Sequence, residues 1–173
     1  MIEQLPRPGS IGLTSIDGPV GWGIRAGQWL NGDGFGQYEH AFIVLPDQQL
    51  IEAQPGGARV EPLSKYDRRD VVFVAPAGLT DGQRVLICEQ AQQMAGVDYS
   101  FLDYAAIALH RVRVPAPGLR RFIASTRHEI CSALCDEAYR RAGVHLFTDQ
   151  RWSGYVTPAD LANLLGREGV SDA

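Results

Sequence analysis

Through residues 10–75 the apolar positions fall in short runs separated by Gly, Pro and Asp, which is the pattern of strands joined by turns. Ser10-Ile11-Gly12-Leu13-Thr14 predicts a first strand. Pro19 to Leu30 predicts a short helix, with Pro19 in its first turn and Val20, Ile24 and Leu30 on an apolar side with Trp22 or Trp29. Residues 31–36 read as a flexible loop. His40-Ala41-Phe42-Ile43-Val44-Leu45 predicts a strand, Pro46-Asp47 a turn, and Gln49 to Ala53 the returning arm of a hairpin. Pro55-Gly56-Gly57 is a second turn. Arg59 to Leu63 predicts an edge strand, because Pro62 has no N–H to donate to a ladder. The unbroken run Val71-Val72-Phe73-Val74 predicts a buried strand within 70–75.

Beyond residue 80 the spacing becomes helical. Asp81 to Ala95 predicts a helix with Thr80 and Gln83 as a capping box, Val85, Leu86, Ala91 and Met94 as its apolar positions, and Gly96 at its end. Phe101 to His110 is a second helical segment. Residues 111–124 carry Pro115, Pro117 and four arginines (Arg111, Arg113, Arg120 and Arg121). They read as a solvated connection in preference to a loop over a substrate groove. A helix containing Cys131, Cys135 and Tyr139 ends at Gly143. Its start is either a capping box at Thr126 and Glu129 or Cys131 itself. Thr157 and Pro158 open a last short helix, as N-cap and first-turn residue. The expected class is α+β, an antiparallel sheet packed against helices, in one domain over 1–173 with its core in about 10–165.

Composition narrows the functional classes. The 173 residues are 45% hydrophobic and 21% charged, as in ordinary globular proteins, and suffice for a sizeable core. A net charge of −4 with both signs interspersed gives no basic patch for nucleic acid. Three cysteines, Cys88, Cys131 and Cys135, do not make a disulfide framework or a zinc ligand set, and neither a metal nor a cofactor is expected. Residues 1–10 lack a basic and apolar leader, and no run approaches the length of a membrane span, so a cytoplasmic location is the default expectation. Virion association or delivery by another secretion route is compatible with that. Lys65 is the only lysine among the sixteen Lys and Arg residues, which reads as genome composition and not as function.

Cys131 draws attention for its chemistry. Backbone N–H groups at a helix start attract negative charge and so favour a thiolate there. Free cysteine more often packs as a small hydrophobe, which is the reading for Cys88 and Cys135. A nucleophilic thiol needs a base and a group to orient that base. His40 begins an apolar strand, and Glu52 sits between Ile51 and Ala53 on the returning arm, where a carboxylate is costly without a partner. A tight hairpin places the two near one end of adjacent strands. His110, His128 and His145 lack such a carboxylate; His128 is close to Cys131 in sequence, but its ring need not point at the sulfur.

The order of these motifs resembles that of the circularly permuted NlpC/P60 (papain-like) cysteine hydrolases of the YiiX/YebB-like kind. The strand block His40 to Leu45, Ile51-Glu52-Ala53, Gly57, Val60 and Pro62-Leu63, followed by Tyr66-Asp67, is similar to theirs. So are Gly96-Val97-Asp98-Tyr99, Cys131-Ser132-Ala133-Leu134 with Ala138-Tyr139 and Gly143, and Thr157-Pro158-Ala159-Asp160-Leu161. The histidine strand precedes the cysteine helix, which is the permuted order. Two positions depart from the pattern: Glu39 stands where a small hydroxyl residue is common, and Ala133 where glutamate is usual.

The resemblance implies a papain-like fold with Cys131 as nucleophile, His40 as base and Glu52 as orienting group. Backbone N–H groups at the helix start would stabilise the oxyanion. The implied activity is hydrolysis of an amide bond in a peptide or cell-wall peptide. Two other readings stand beside it. One is an acyltransferase or thioesterase on a lipid-like substrate, as in the similar lecithin–retinol acyltransferase group, which commonly has histidine where this chain has Glu52. The other is a binding module that kept the fold without catalysis. The partners expected are a peptide, peptidoglycan-like or acyl substrate, with no nucleic acid.

Overall fold

The computed structural model describes residues 6–15, 38–54, 57–96, 131–149 and 156–168. These form an α+β arrangement: five strands, β1 (Ile11–Thr14), β2 (His40–Leu45), β3 (Gln49–Gln54), β4 (Gly57–Pro62) and β5 (Val71–Val74), and three helices, α1 (Asp81–Gln93), α2 (131–141) and α3 (Pro158–Glu168). The strand order is β4-β3-β2-β1-β5, and every pairing is antiparallel. Four strands meander and the fifth returns to the free side of β1. The expected helices over 19–30 and 101–110, the loops 31–36 and 111–124, and the start of the Cys131 helix lie outside the described residues.

Turn chemistry fixes the central hairpin. Asp47 and Gln48 both have positive φ (57° and 55°), and Gln49 N–H donates to the Pro46 carbonyl at 3.2 Å. Two such residues in succession match the right-handed twist of the flanking strands, as in a type I′ turn. Asp tolerates this conformation better than most side chains. The resulting register sets Ile43 against Ile51 and Val44 against Leu50.

Alternation then divides the sheet into two unlike faces. One carries Ile11, Leu13, Ala41, Ile43, Leu45, Ile51 and Ala53, and packs against Ile87, Cys88 and Ala91 of α1, Leu134, Cys135 and Ala138 of α2, and Leu161 and Leu165 of α3. The other carries the smaller cluster Phe42, Val44, Leu50 and Tyr66. Phe42 stacks on Tyr66 with ring centroids 4.7 Å apart and meets Phe73 edge-on at 6.2 Å. The Phe42 ring lies over Gly12: a Cβ at that position would come 2.2 Å from Cζ, so only glycine fits.

The expected Thr80–Gln83 capping box forms, and Thr157 makes a second one with Asp160. In α1 the Thr80 hydroxyl accepts from Gln83 N–H while the Gln83 side chain accepts from Thr80 N–H. At α3, Thr157 and Asp160 exchange the same pair of bonds at 3.0 and 3.1 Å. Gly96 follows α1 with φ of 72°, a left-handed residue past the helix end.

Two expectations about burial fail. The apolar side of α1 is Ile87, Cys88, Ala91 and Met94, whereas Val85 and Leu86 are 56% and 46% exposed. At 100° per residue, Val85 lies roughly 130° round the helix from the centre of the buried side. Hydrophobic character alone did not set the phase. The run Val71 to Val74 forms an edge strand and not a buried one, with Val72 and Phe73 exposed. An unbroken apolar run suits a strand covered on both faces, but among the described residues β5 pairs only with β1.

Candidate active site

The site forms where β2 begins and β3 ends. The short hairpin brings His40 and Glu52 together, and His40 Nε2 meets Glu52 Oε2 at 2.6 Å. Glu52 is 2% exposed, so its carboxylate is out of water and needs partners for every lone pair. It has four. Oε2 also accepts from the Tyr66 hydroxyl at 2.5 Å. Oε1 accepts from Lys65 Nζ at 2.5 Å and Gln54 Nε2 at 2.7 Å. Two acceptor directions on each oxygen are thereby filled.

These partners follow from the local fold. Gln54 is two residues beyond Glu52 on β3 and so on the same face. Pro62 ends β4, and the chain turns into a single 3₁₀ turn, Leu63–Tyr66, that carries Lys65 and Tyr66 back over the sheet. Leu63 N–H donates to the Gln48 carbonyl at 2.8 Å, which fixes the start of that turn. Stacking on Phe42 holds the Tyr66 ring, and Arg69 lies over the ring with Cζ 5.6 Å from the centroid.

Cys131 comes from the far side of the sheet. It is fully buried and belongs to the cluster on the helix-bearing face. Its side chain hydrogen-bonds that of His40. With Nε2 committed to Glu52, the nitrogen left for the thiol is Nδ1. The adjacent Ser132 hydroxyl donates to the Val156 carbonyl at 2.5 Å, tying this part of α2 to the segment that opens α3.

The electrostatics follow from these contacts. Burial works against a charge on the His40 ring. The charge of Cys131 and hydrogen bonds to Cys131 and Glu52 outweigh it, and the imidazole is raised from 6.5 to about 10. Burial likewise opposes the Glu52 carboxylate, but His40, Lys65 and Tyr66 hold it well below the usual carboxylate range. Burial and the Glu52 charge push the Tyr66 hydroxyl up, which keeps it a donor. At neutral pH, His40 is therefore an imidazolium bracketed by Cys131 and Glu52.

The three residues singled out in the sequence, Cys131, His40 and Glu52, are all brought together. Cys88 and Cys135 are core residues, and burial pushes both thiols up. His145 is exposed, and His110 and His128 lie outside the described residues. The sequence reading missed Lys65, Tyr66 and Gln54 as supports of Glu52. For Lys65 a signal existed: the single lysine of an arginine-rich chain is the residue placed on the buried carboxylate.

Among the described residues no cluster of three His, Cys, Asp or Glu side chains is arranged to hold a metal, and no helix is long and apolar enough to cross a membrane. No family model, curated protein or solved structure matches the chain.

Proposed function

We propose that this protein is a thiol hydrolase that cleaves an amide bond in a peptide or cell-wall peptide, on a permuted NlpC/P60-like, papain-like scaffold. The observation that carries the reading is the linear order Cys131, His40, Glu52, in which one imidazole is hydrogen-bonded to a thiol on one side and to a buried carboxylate on the other.

That order supports covalent chemistry. The Cys131 thiolate attacks the carbonyl carbon, and the C=O electron pair moves onto oxygen. Collapse of the tetrahedral adduct breaks the C–N bond, and the proton on His40 Nδ1 passes to the departing nitrogen. The now neutral imidazole takes a proton from water, whose oxygen attacks the thioester. Cys131 leaves as thiolate and His40 is again an imidazolium. Through both halves Glu52 accepts from Nε2–H, which keeps Nδ1 directed at the sulfur.

Site-resolved alkylation with iodoacetamide across pH tests this, on wild type and on His40→Ala. Cys131 is expected to label at about pH 6 far faster than Cys88 or Cys135, and to lose that advantage when His40 is removed. Labelling no faster than an ordinary thiol of pKa about 8.5 overturns the reading and favours a binding module. So does no labelling, since a thiol that a two-carbon amide cannot reach cannot attack a substrate amide.

A further inference from the structure

Glu52 has two oxygens with different duties. Oε2 faces His40 and Tyr66, and Oε1 faces Lys65 and Gln54. The ammonium of Lys65 is 2.5 Å from Oε1 and 3.8 Å from Glu61 Oε1, so it spans the buried carboxylate and a half-buried one. Gln54 repeats the link, at 2.7 Å to Glu52 and 3.5 Å to Glu61.

We propose that Lys65 is a positioning residue of the Cys131–His40–Glu52 site: by holding Oε1 it commits Oε2 to His40 and supplies the fourth charge that balances the site. This deepens the proposed thiol chemistry and rests on it.

The geometry gives two reasons. The two carboxylate oxygens are equivalent, so a half-turn about the terminal bond changes nothing; a partial turn would pull an oxygen off both the imidazole and the Tyr66 hydroxyl. With Lys65 and Gln54 gripping the other oxygen, that partial turn is resisted. Charge gives the second reason. A thiolate, an imidazolium and a carboxylate together carry one negative charge in a buried site, and burial makes an unbalanced charge expensive. Lys65 offsets that charge, at 2.5 Å from Glu52 against 3.8 Å from Glu61. It does so from the rim, where its own ammonium remains partly hydrated at 37% exposure. Arginine can replace the charge and can also reach a carboxylate, whereas methionine fills the same space without charge.

Removing a nearby positive charge makes each acid in the site hold its proton to higher pH. Lys65→Met is therefore expected to slow Cys131 alkylation about tenfold at pH 6–7 and to move the acid limb of its pH profile upward by about one pH unit. The rate should return to the wild-type value above the limb, and Lys65→Arg should restore the limb towards its original position.

Three results overturn the proposal while leaving the thiol chemistry intact. They are a wild-type protein whose Cys131 reacts fast and depends on His40, paired with an unmoved limb in Lys65→Met; a loss of rate equal at every pH; or no rescue by arginine. Slow, His40-independent labelling in the wild type would instead sink the reading beneath it.

Should Lys65→Met not fold, the unmutated chain supplies a second measurement. Because Lys65 is the only lysine, reductive methylation with ¹³C-formaldehyde gives one ε-dimethylammonium signal and keeps the charge. That signal is expected to shift when Cys131 is alkylated, and an unmoved signal overturns the proposal.

Discussion

Both faces of the sheet hold residues that are almost completely buried, by different means. On the helix-bearing face, Ile11, Ile43, Ile51 and Ile87 have no accessible surface, and their neighbours are apolar side chains. On the opposite face Glu52 is almost as inaccessible, yet its neighbours are an imidazole, an amide, an ammonium and a phenol. The cysteines mark the same divide. Cys131 and Cys135 are one helical turn apart and both fully buried, but only Cys131 meets the histidine. Depth does not separate these two thiols. The identity of the neighbouring side chain does.

The sharpest way to break this comparison is to make the polar face behave like the apolar one. Glu52→Gln keeps the shape and burial of the side chain but removes the charge that Oε2 presents to His40. Turnover is expected to fall by roughly 100-fold, within the usual range for loss of acid–base function. Cys88 and Cys135 labelling should be unchanged. A variant with wild-type turnover would show that the carboxylate is only a packing group.

Next in size is Gly12→Ala. The added Cβ lands inside the Phe42 ring, and overpacking of this kind costs about 1–3 kcal/mol. Because Phe42 is stacked on Tyr66, and Tyr66 donates to Glu52, the strain is expected to reach the site as well as the melting temperature. Thermal unfolding together with Cys131 labelling reads both, and an unaffected labelling rate would uncouple the aromatic stack from the carboxylate.

The smallest effect is in the pH dependence of stability, where the faces differ in window. His40 holds its proton more tightly when folded (about 10) than when unfolded (6.5). Its contribution is fully present below pH 6.5 and declines as pH rises towards 10. Cys88 and Cys135 also have raised values, but their loss begins only above the ordinary thiol value of about 8.5. Glu52, held low, adds stability that is present above about pH 4.3 and lost in acid. Denaturant unfolding at several pH values is thus expected to show the acid loss below about pH 4.3 in wild type and not in Glu52→Gln. The same acid loss in both proteins would assign it elsewhere.

The sequence was most legible where one local rule decides the outcome. The His40 to Leu45 strand, the return through Gln49, and the capping residues Thr80 and Thr157 each rest on chemistry within a few positions. The pairing of His40 with Glu52 was legible for the same reason, since a short hairpin leaves little freedom in register. Lys65 was not. Its contact with Glu52 depends on how the chain turns after Pro62, and no periodicity encodes that turn. Val72, Phe73, Val85 and Leu86 misled because apolar character says that a residue can be buried, not which side of an element meets the core.

The central hairpin also bears on how the protein is made. His40 and Glu52 are twelve positions apart and are brought together by one tight turn, so the base and its carboxylate can pair early, with a short loop to close. Cys131 reaches them only after the later part of the chain has emerged from the ribosome and α2 has packed on the sheet. The nascent chain therefore holds an imidazole–carboxylate pair without its thiol through most of synthesis, and on the proposed reading the site is complete only once α2 is in place.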